Sequence, residues 1–456
     1  MTKRIIISLA QENQAVEENE ITGAAIGQTK EQEQSSQAGA VVVPLEDSEE
    51  EIAAILAVEE LSEEIANDQA DVERSIEVAD GLEDVATIAE NIDQPSPTDI
   101  ALIQTAANMA VAGTDGDATE LVPAAESITS GKALAADLRE RIGYAHEGIM
   151  DAFKGIGEKL ATLGERIGEK LRSFKDRVAD VRKALNASEK TKFTVKIGKN
   201  DFKVASNVKI GSAADFIKAV NQTMAFQEDL VQQASATNQA LSSVKTTLFD
   251  NLKANFTKNG AAIQASKHLG PLTGATSKLS NLKGSVRNTI NNDGAVTIVL
   301  VPAIGDFVLR VTTPTKEASS TDGMTIKDFL AIYKKYDIEF VKNPNGHDVE
   351  DAEFEVKKQY LDGLVASVEK LANISLTFVK NNTTFGQRFI DKTGGFKEDI
   401  YTASASQIVV GRAANMNFRF MKGVEKMSDN VARGLLRVAI RAVNGKEEVA
   451  QESFNV

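Results

Sequence analysis

The stretch Ile149-Met150-Asp151-Ala152-Phe153-Lys154-Gly155-Ile156-Gly157-Glu158-Lys159-Leu160-Ala161-Thr162-Leu163-Gly164-Glu165-Arg166-Ile167-Gly168-Glu169-Lys170-Leu171 decides how this chain folds. Its apolar residues recur by threes and fours, the spacing that lines one face of a helix. The row begins at Ile142 and runs on through Phe174, Val178, Val181 and Leu185. It predicts one long amphipathic helix over residues 131–187, with breaks, buried by neighbouring helices in a bundle. Ile156-Gly157-Glu158-Lys159-Leu160 returns eleven residues later as Ile167-Gly168-Glu169-Lys170-Leu171. Eleven residues make close to three turns, so both copies present the same face. Gly143, Gly148, Gly155, Gly157, Gly164 and Gly168 each weaken the helix by up to about 1 kcal/mol relative to alanine. They are expected where packing is close or the helix bends.

The same helix is rich in cations. Lys159, Arg166, Lys170 and Arg177 follow at steps of seven, four and seven and share a face, with Arg172 and Lys175 beside them. These six are the candidate contacts for DNA phosphates, through attraction that is salt-sensitive and blind to sequence. Glu158, Glu165 and Glu169 form an acidic row one residue behind and offset part of that stripe. No helix-turn-helix or base-stacking aromatic motif accompanies it.

Upstream, the charge reverses. Of 66 Asp and Glu in the chain, 29 lie in residues 1–126, against four bases there (Lys3, Arg4, Lys30, Arg74). That gives −25, and the remaining 37 acids and 47 bases give +10, so the overall −15 describes neither part. An acidic arm on a basic body reads as a masked polyanion binder, since the arm competes with an outside partner. Residues 11–50 are polar and low in complexity and are expected to be disordered. Ile52, Ile55, Leu56, Leu61, Ile65, Val72, Ile76, Leu82, Val85 and Ile88 then recur among acids, which predicts one or two amphipathic helices over 48–92. Pro95 and Pro97 stop them, and a short helix follows over 98–112, capped by Thr98 or Asp99.

Downstream, Phe193–Ile197 and Asp201–Val204 alternate around Gly198-Lys199-Asn200 and read as a β-hairpin. Helices are expected over 212–256 (opened by Ser212), 277–291, 325–336, 350–373 and 414–443. Strands are expected over 296–301 and 306–311, and 374–379 fits either a strand or a helix continuation. The fold class is α+β and mostly helical, with a small antiparallel sheet. The chain divides into an acidic arm (1–126), a long basic helix (127–190) and an α+β body (191–456).

The chemistry is sparse. There is no Cys, which excludes disulfides, thiolate catalysis and Cys-based zinc sites. His146, His268 and His347 stand far apart. Neither a phosphate-cradling glycine loop nor a Gly-x-Ser-x-Gly elbow occurs. Asp115, Asp117, Thr119, Leu121 and Glu126 match calcium-loop positions, but Glu120 stands where the loop needs glycine and Pro123 intrudes. An acidic linker is the better account. No catalytic, cofactor-binding or metal-binding residues are expected, and no cofactor; the chain is not expected to be an enzyme. The apolar run near Met1 is short for a signal peptide, and no stretch is long enough to span a membrane. A soluble protein without a targeting signal is expected.

The order of parts resembles the internal head (inner-core) proteins of large tailed bacteriophages. In those proteins an acidic helical propeptide precedes a basic mature part, and a prohead protease cuts after Glu in a small-x-Glu motif. Val122-Pro123-Ala124-Ala125-Glu126-Ser127 matches that motif where the charge reverses. Ala10-Gln11-Glu12, Ala57-Val58-Glu59, Ala118-Thr119-Glu120, Ala187-Ser188-Glu189 and Ala450-Gln451-Glu452 fit it too. The resemblance covers the layout of 1–190 best. It implies a virion structural protein inside the capsid, cleaved after Glu126 in the site formed by Ala124, Ala125, Glu126 and Ser127, and present in many copies. It also implies partners among the core proteins, the prohead protease and packaged DNA, and host cytoplasm as the place of assembly. A second reading is a membrane-active or ejected virion protein that lays helix 149–185 on anionic lipid. A capsid protein that never meets DNA and a processed hydrolase are further alternatives.

Overall fold

The computed structural model describes residues 43–45, 47–111, 130–255, 263–315, 322–391 and 400–445. The proposed cut at Ala124–Ser127, the calcium-like loop and residues 11–42 of the tract expected to be disordered lie outside the described residues; the end of that tract is structured instead, with Val43 buried and Ser48 capping a helix that starts at Glu49.

The 142–185 periodicity forms one helix, α3 (Gly131–Ala187), opened by Ser130, whose hydroxyl accepts the Ala133 N–H at 3.1 Å. Such a cap satisfies a donor that the first turn leaves free. Ile142, Ile149, Phe153, Ile156, Leu160, Leu163, Ile167, Leu171, Phe174, Val178, Val181 and Leu185 are all buried. The face that a lipid surface would need is therefore spent on the core. Of the α3 glycines, Gly164 lies against Thr383, where a Cβ would sit 3.1 Å from its hydroxyl, while Gly143, Gly155 and Gly168 have open space. Close packing accounts for Gly164 alone among these four.

The acidic periodicity also forms a single helix, α1 (Glu49–Glu90), capped by Ser48. It lies along α3, and Val58, Leu61, Ile65, Val72, Ile76, Leu82 and Val85 are buried there. Helix α2 (Pro97–Val111) packs back on α1. Its cap is Ser96 rather than Thr98 or Asp99: the Ser96 hydroxyl accepts the Asp99 N–H, and the Asp99 carboxylate accepts the Ser96 N–H at 2.8 Å. Proline at the first helical position needs no partner for its nitrogen.

The body begins with β1 (Lys192–Ile197) and β2 (Lys203–Val204), then α4 (Ala213–Asn255), β3 (Ile263–Gln264) and α5 (Ala265–Leu279). The strands β4 (Ser285–Asn292), β5 (Ala295–Pro302), β6 (Phe307–Pro314) and β7 (Asp322–Met324) follow, then α6 (Ile326–Tyr333). The chain continues through β8 (Asp337–Lys342), β9 (His347–Asp348), β10 (Ala352–Lys357), α7 (Lys358–Asp391) and α8 (Ile400–Asn444). The antiparallel sheet has the order β4-β5-β6-β8, and the other strands pair two by two. The fold is α+β and mostly helical.

Three local expectations give way. The 193–204 region is not a hairpin: β1 pairs with β10, Phe193 opposite Val356, and β2 pairs with β9. Residues 352–357 are strand, and the helix expected from 350 begins at Lys358, running through 374–379 to Asp391. The helix expected over 277–291 lies earlier, as α5, and 285–292 is an edge strand whose side chains are nearly all exposed.

Helix α8 is the hub, touching α1, α3, α4, α6, α7, β1 and β8. Phe420 meets Phe378 edge-on (5.5 Å) and stacks on Phe340 (5.8 Å). A Cβ at Gly423 would enter the Phe340 ring, which explains glycine there. Where α4, α7 and α8 cross, three buried asparagines satisfy one another: Asn238 donates to Asn382 (2.6 Å), and Asn417 donates to both (3.0 and 2.9 Å).

Candidate nucleic-acid interface

The stripe on α3 points inward and the acidic row points outward: Glu158, Glu165 and Glu169 are exposed. Helix α1 lies over the stripe. Lys159 donates to Glu64 (2.6 Å) and Asp68 (2.7 Å) of α1. Burial opposes its charge, but the two carboxylates prevail and hold the ammonium above its ordinary pKa. Arg166 reaches the Ala57 carbonyl at 3.4 Å. Arg172 is exposed and Lys175 half-buried, and neither forms an ion pair among the described residues.

Lys170 and Arg177 belong to one cluster. Lys170 is buried and pairs with Glu425 (2.7 Å) and Asp429 (2.9 Å) of α8. Asp429 also accepts Arg433 Nε at 3.0 Å, and Arg433 Nη1 bridges to Asp47 (3.1 Å) and Glu51 (2.6 Å). Arg177 contacts the same two carboxylates from α3, Asp47 closely and Glu51 at 3.3 Å. Three cations from two helices thus meet four carboxylates, two of them from the start of the acidic segment. The Arg433 guanidinium also lies over the Phe174 ring, 5.4 Å from its centre. Burial pushes the Glu425 carboxyl above the ordinary range although Lys170 pulls it back. For Arg433, burial is outweighed by Asp429, Glu51 and Asp47, which raise its pKa.

Other cations join along α1 that charge spacing on α3 does not reveal. Arg139 donates to Glu83 (3.2 Å) and Glu90 (2.7 Å). Lys426 of α8 approaches Glu59 (3.6 Å), and Lys327 of α6 pairs with Asp84 (2.8 Å). The available signal was on α8, where Glu425, Asp429 and Arg433 follow at steps of four among Val424, Met427, Val431 and Leu435. Charges in such a run are buried and paired, or functional.

Among the described residues, nothing else gathers into a reactive constellation. His268 is buried, its Nδ1 3.0 Å from the Thr247 hydroxyl, and burial and Lys267 lower its pKa. His347 is exposed on β9. No group of three metal-ligating side chains occurs among the described residues, and no described helix is long and apolar enough to cross a membrane. A cleft of about 300 Å³ is lined by Asp201, Asp306, Asp348 and Arg437. Its most buried acid, Asp201, is committed to the Gly198 N–H (2.7 Å) and to Arg441.

No curated protein and no solved structure matches this chain. A family model does, over residues 40–451, which takes in the acidic helix, the long helix and the body alike. The chain belongs to the phiKZ-like phage internal head proteins.

Proposed function

We propose that this internal head protein, a structural component inside the phage virion that associates with other capsid components, is made as a precursor, that a prohead protease removes the acidic arm after Glu126 in the assembling capsid, and that the basic remainder is packaged with DNA. In this reading 1–126 is the removable arm, 127–190 the basic helix and 191–456 the body. Assembly takes place in the host cytoplasm, with the other core proteins and the protease as partners. No catalytic step is assigned to the chain.

The observation that carries the proposal is the pairing of the arm's carboxylates with cations of α3 and α8. A segment that supplies countercharge to the body keeps it from phosphates, and its removal takes away −25 and leaves +10. Mass spectrometry with N-terminal sequencing of mature particles tests this. The expected species begins at Ser127. A chain in the particle that retains Met1–Glu126 refutes it.

A further inference from the structure

Helix α1 does more than lower the net charge. Its carboxylates pair with cations from three separate helices: Arg139, Lys159 and Arg177 of α3, Lys426 and Arg433 of α8, and Lys327 of α6. These positions are far apart in sequence and share one property, contact with the acidic segment. On α3 alone they extend from residue 139 to 177, about 57 Å at 1.5 Å per residue. The outward face of α3 offers no such row, because Glu158, Glu165 and Glu169 occupy it.

We propose that the cations paired with α1 form the polyanion-binding surface of this protein, and that the carboxylates of α1 are an internal stand-in for the phosphate backbone. The carboxylates of Glu59, Glu64, Asp68 and Glu83 stand where phosphate oxygens go when duplex DNA replaces the helix. Lys170 takes no part: its ammonium is spent inside the body on Glu425 and Asp429. Arg177 and Arg433 do take part, because their carboxylates at Asp47 and Glu51 leave with the arm. This rests on the reading of the arm as removable and adds which face is uncovered and what ligand it takes.

The test uses the full-length chain. One variant neutralises carboxylates that pair with these cations (Glu59→Gln, Glu64→Gln, Asp68→Asn, Glu83→Gln). A control of equal net charge neutralises exposed carboxylates of the same helix that form no ion pair among the described residues (Glu50→Gln, Glu60→Gln, Asp71→Asn, Glu77→Gln). Binding to a 30-base-pair duplex is measured against salt concentration. The paired-set variant should bind at least about tenfold tighter than the control at low salt. Its log–log salt slope should steepen by about 0.9 for each cation released. Adding Lys159→Glu to the paired-set variant should cancel most of the gain. Should the fourfold variant lose its fold, the pair Glu64→Gln/Asp68→Asn, which frees Lys159 alone, gives the same comparison on a smaller scale. Equal affinities for the paired and control sets overturn the proposal, as does a gain that Lys159→Glu leaves intact. The precursor reading fails separately, on finding Met1–Glu126 in mature particles.

Discussion

Replacing Lys170 by methionine isolates the central ion pair of the body. The Lys170 and Glu425 side chains are 5% and 6% exposed and 2.7 Å apart. At an effective dielectric near 20, that separation corresponds to about 6 kcal/mol of attraction, most of which desolvation cancels. The pair is therefore worth little net, but half of it is costly. Lys170→Met retains the stem and strands Glu425, while Asp429 keeps Arg433 at 3.0 Å. The expected loss is about 3–5 kcal/mol. Adding Glu425→Leu removes the stranded charge and should restore all but about 1 kcal/mol. Urea unfolding followed by circular dichroism reads both. The loss should also depend on pH. Burial already holds the Glu425 carboxyl above its ordinary range, and losing Lys170 moves it higher. The folded single variant then keeps a proton that the unfolded chain releases, so its stability falls as pH rises above the ordinary carboxylate range. Its deficit should be smaller near about pH 5 than at pH 7. A single variant within about 1 kcal/mol of the parent, or a double variant no better than the single, refutes this account.

Ile65→Ala removes a fully buried side chain from the α1–α3 contact. It should cost about 2–4 kcal/mol and raise hydrogen exchange over 49–90 more than in the β4–β8 sheet. Gly434→Ala forces a methyl group onto the Asp201 carbonyl and should lower stability by about 1–3 kcal/mol in thermal unfolding, whereas Gly155→Ala, in open space, should raise it slightly. His268 is held neutral by burial. The unfolded chain takes up its proton first, so stability should drop as pH falls below about 6.5, and His268→Gln should flatten that slope in pH-dependent melting curves.

The long helix was legible because a twelve-residue apolar row keeps one period; the breaks expected in it do not occur, and it runs unbroken from Gly131 to Ala187. The strand character of 193–204 was legible as well, but not its partner. Alternation fixes which face of a strand is buried and says nothing of what lies beside it; the true neighbour of Phe193 is Val356. The edge strand Ser285–Asn292 has no buried face and hence no periodic signal. The cationic stripe was legible as a row, but its direction was not. Lys159 and Glu158 are adjacent in sequence, and only the position of α1 makes one an inner and the other an outer residue.

Asp47 and Glu51 fasten the acidic segment at the end opposite the bond after Glu126. Helix α1 has 42 residues, so the clasp lies about 60 Å along its axis from its far terminus. Under the proposed cleavage, severing the chain near 126 frees the end beside Arg139 and leaves the clasp in place. The stretch beside Arg139 is then expected to lift before the stretch beside Lys159, and the double hold of Arg177 and Arg433 to yield last. Shedding of the proposed arm would thus be a directional unzipping that finishes at the end the protease has not touched.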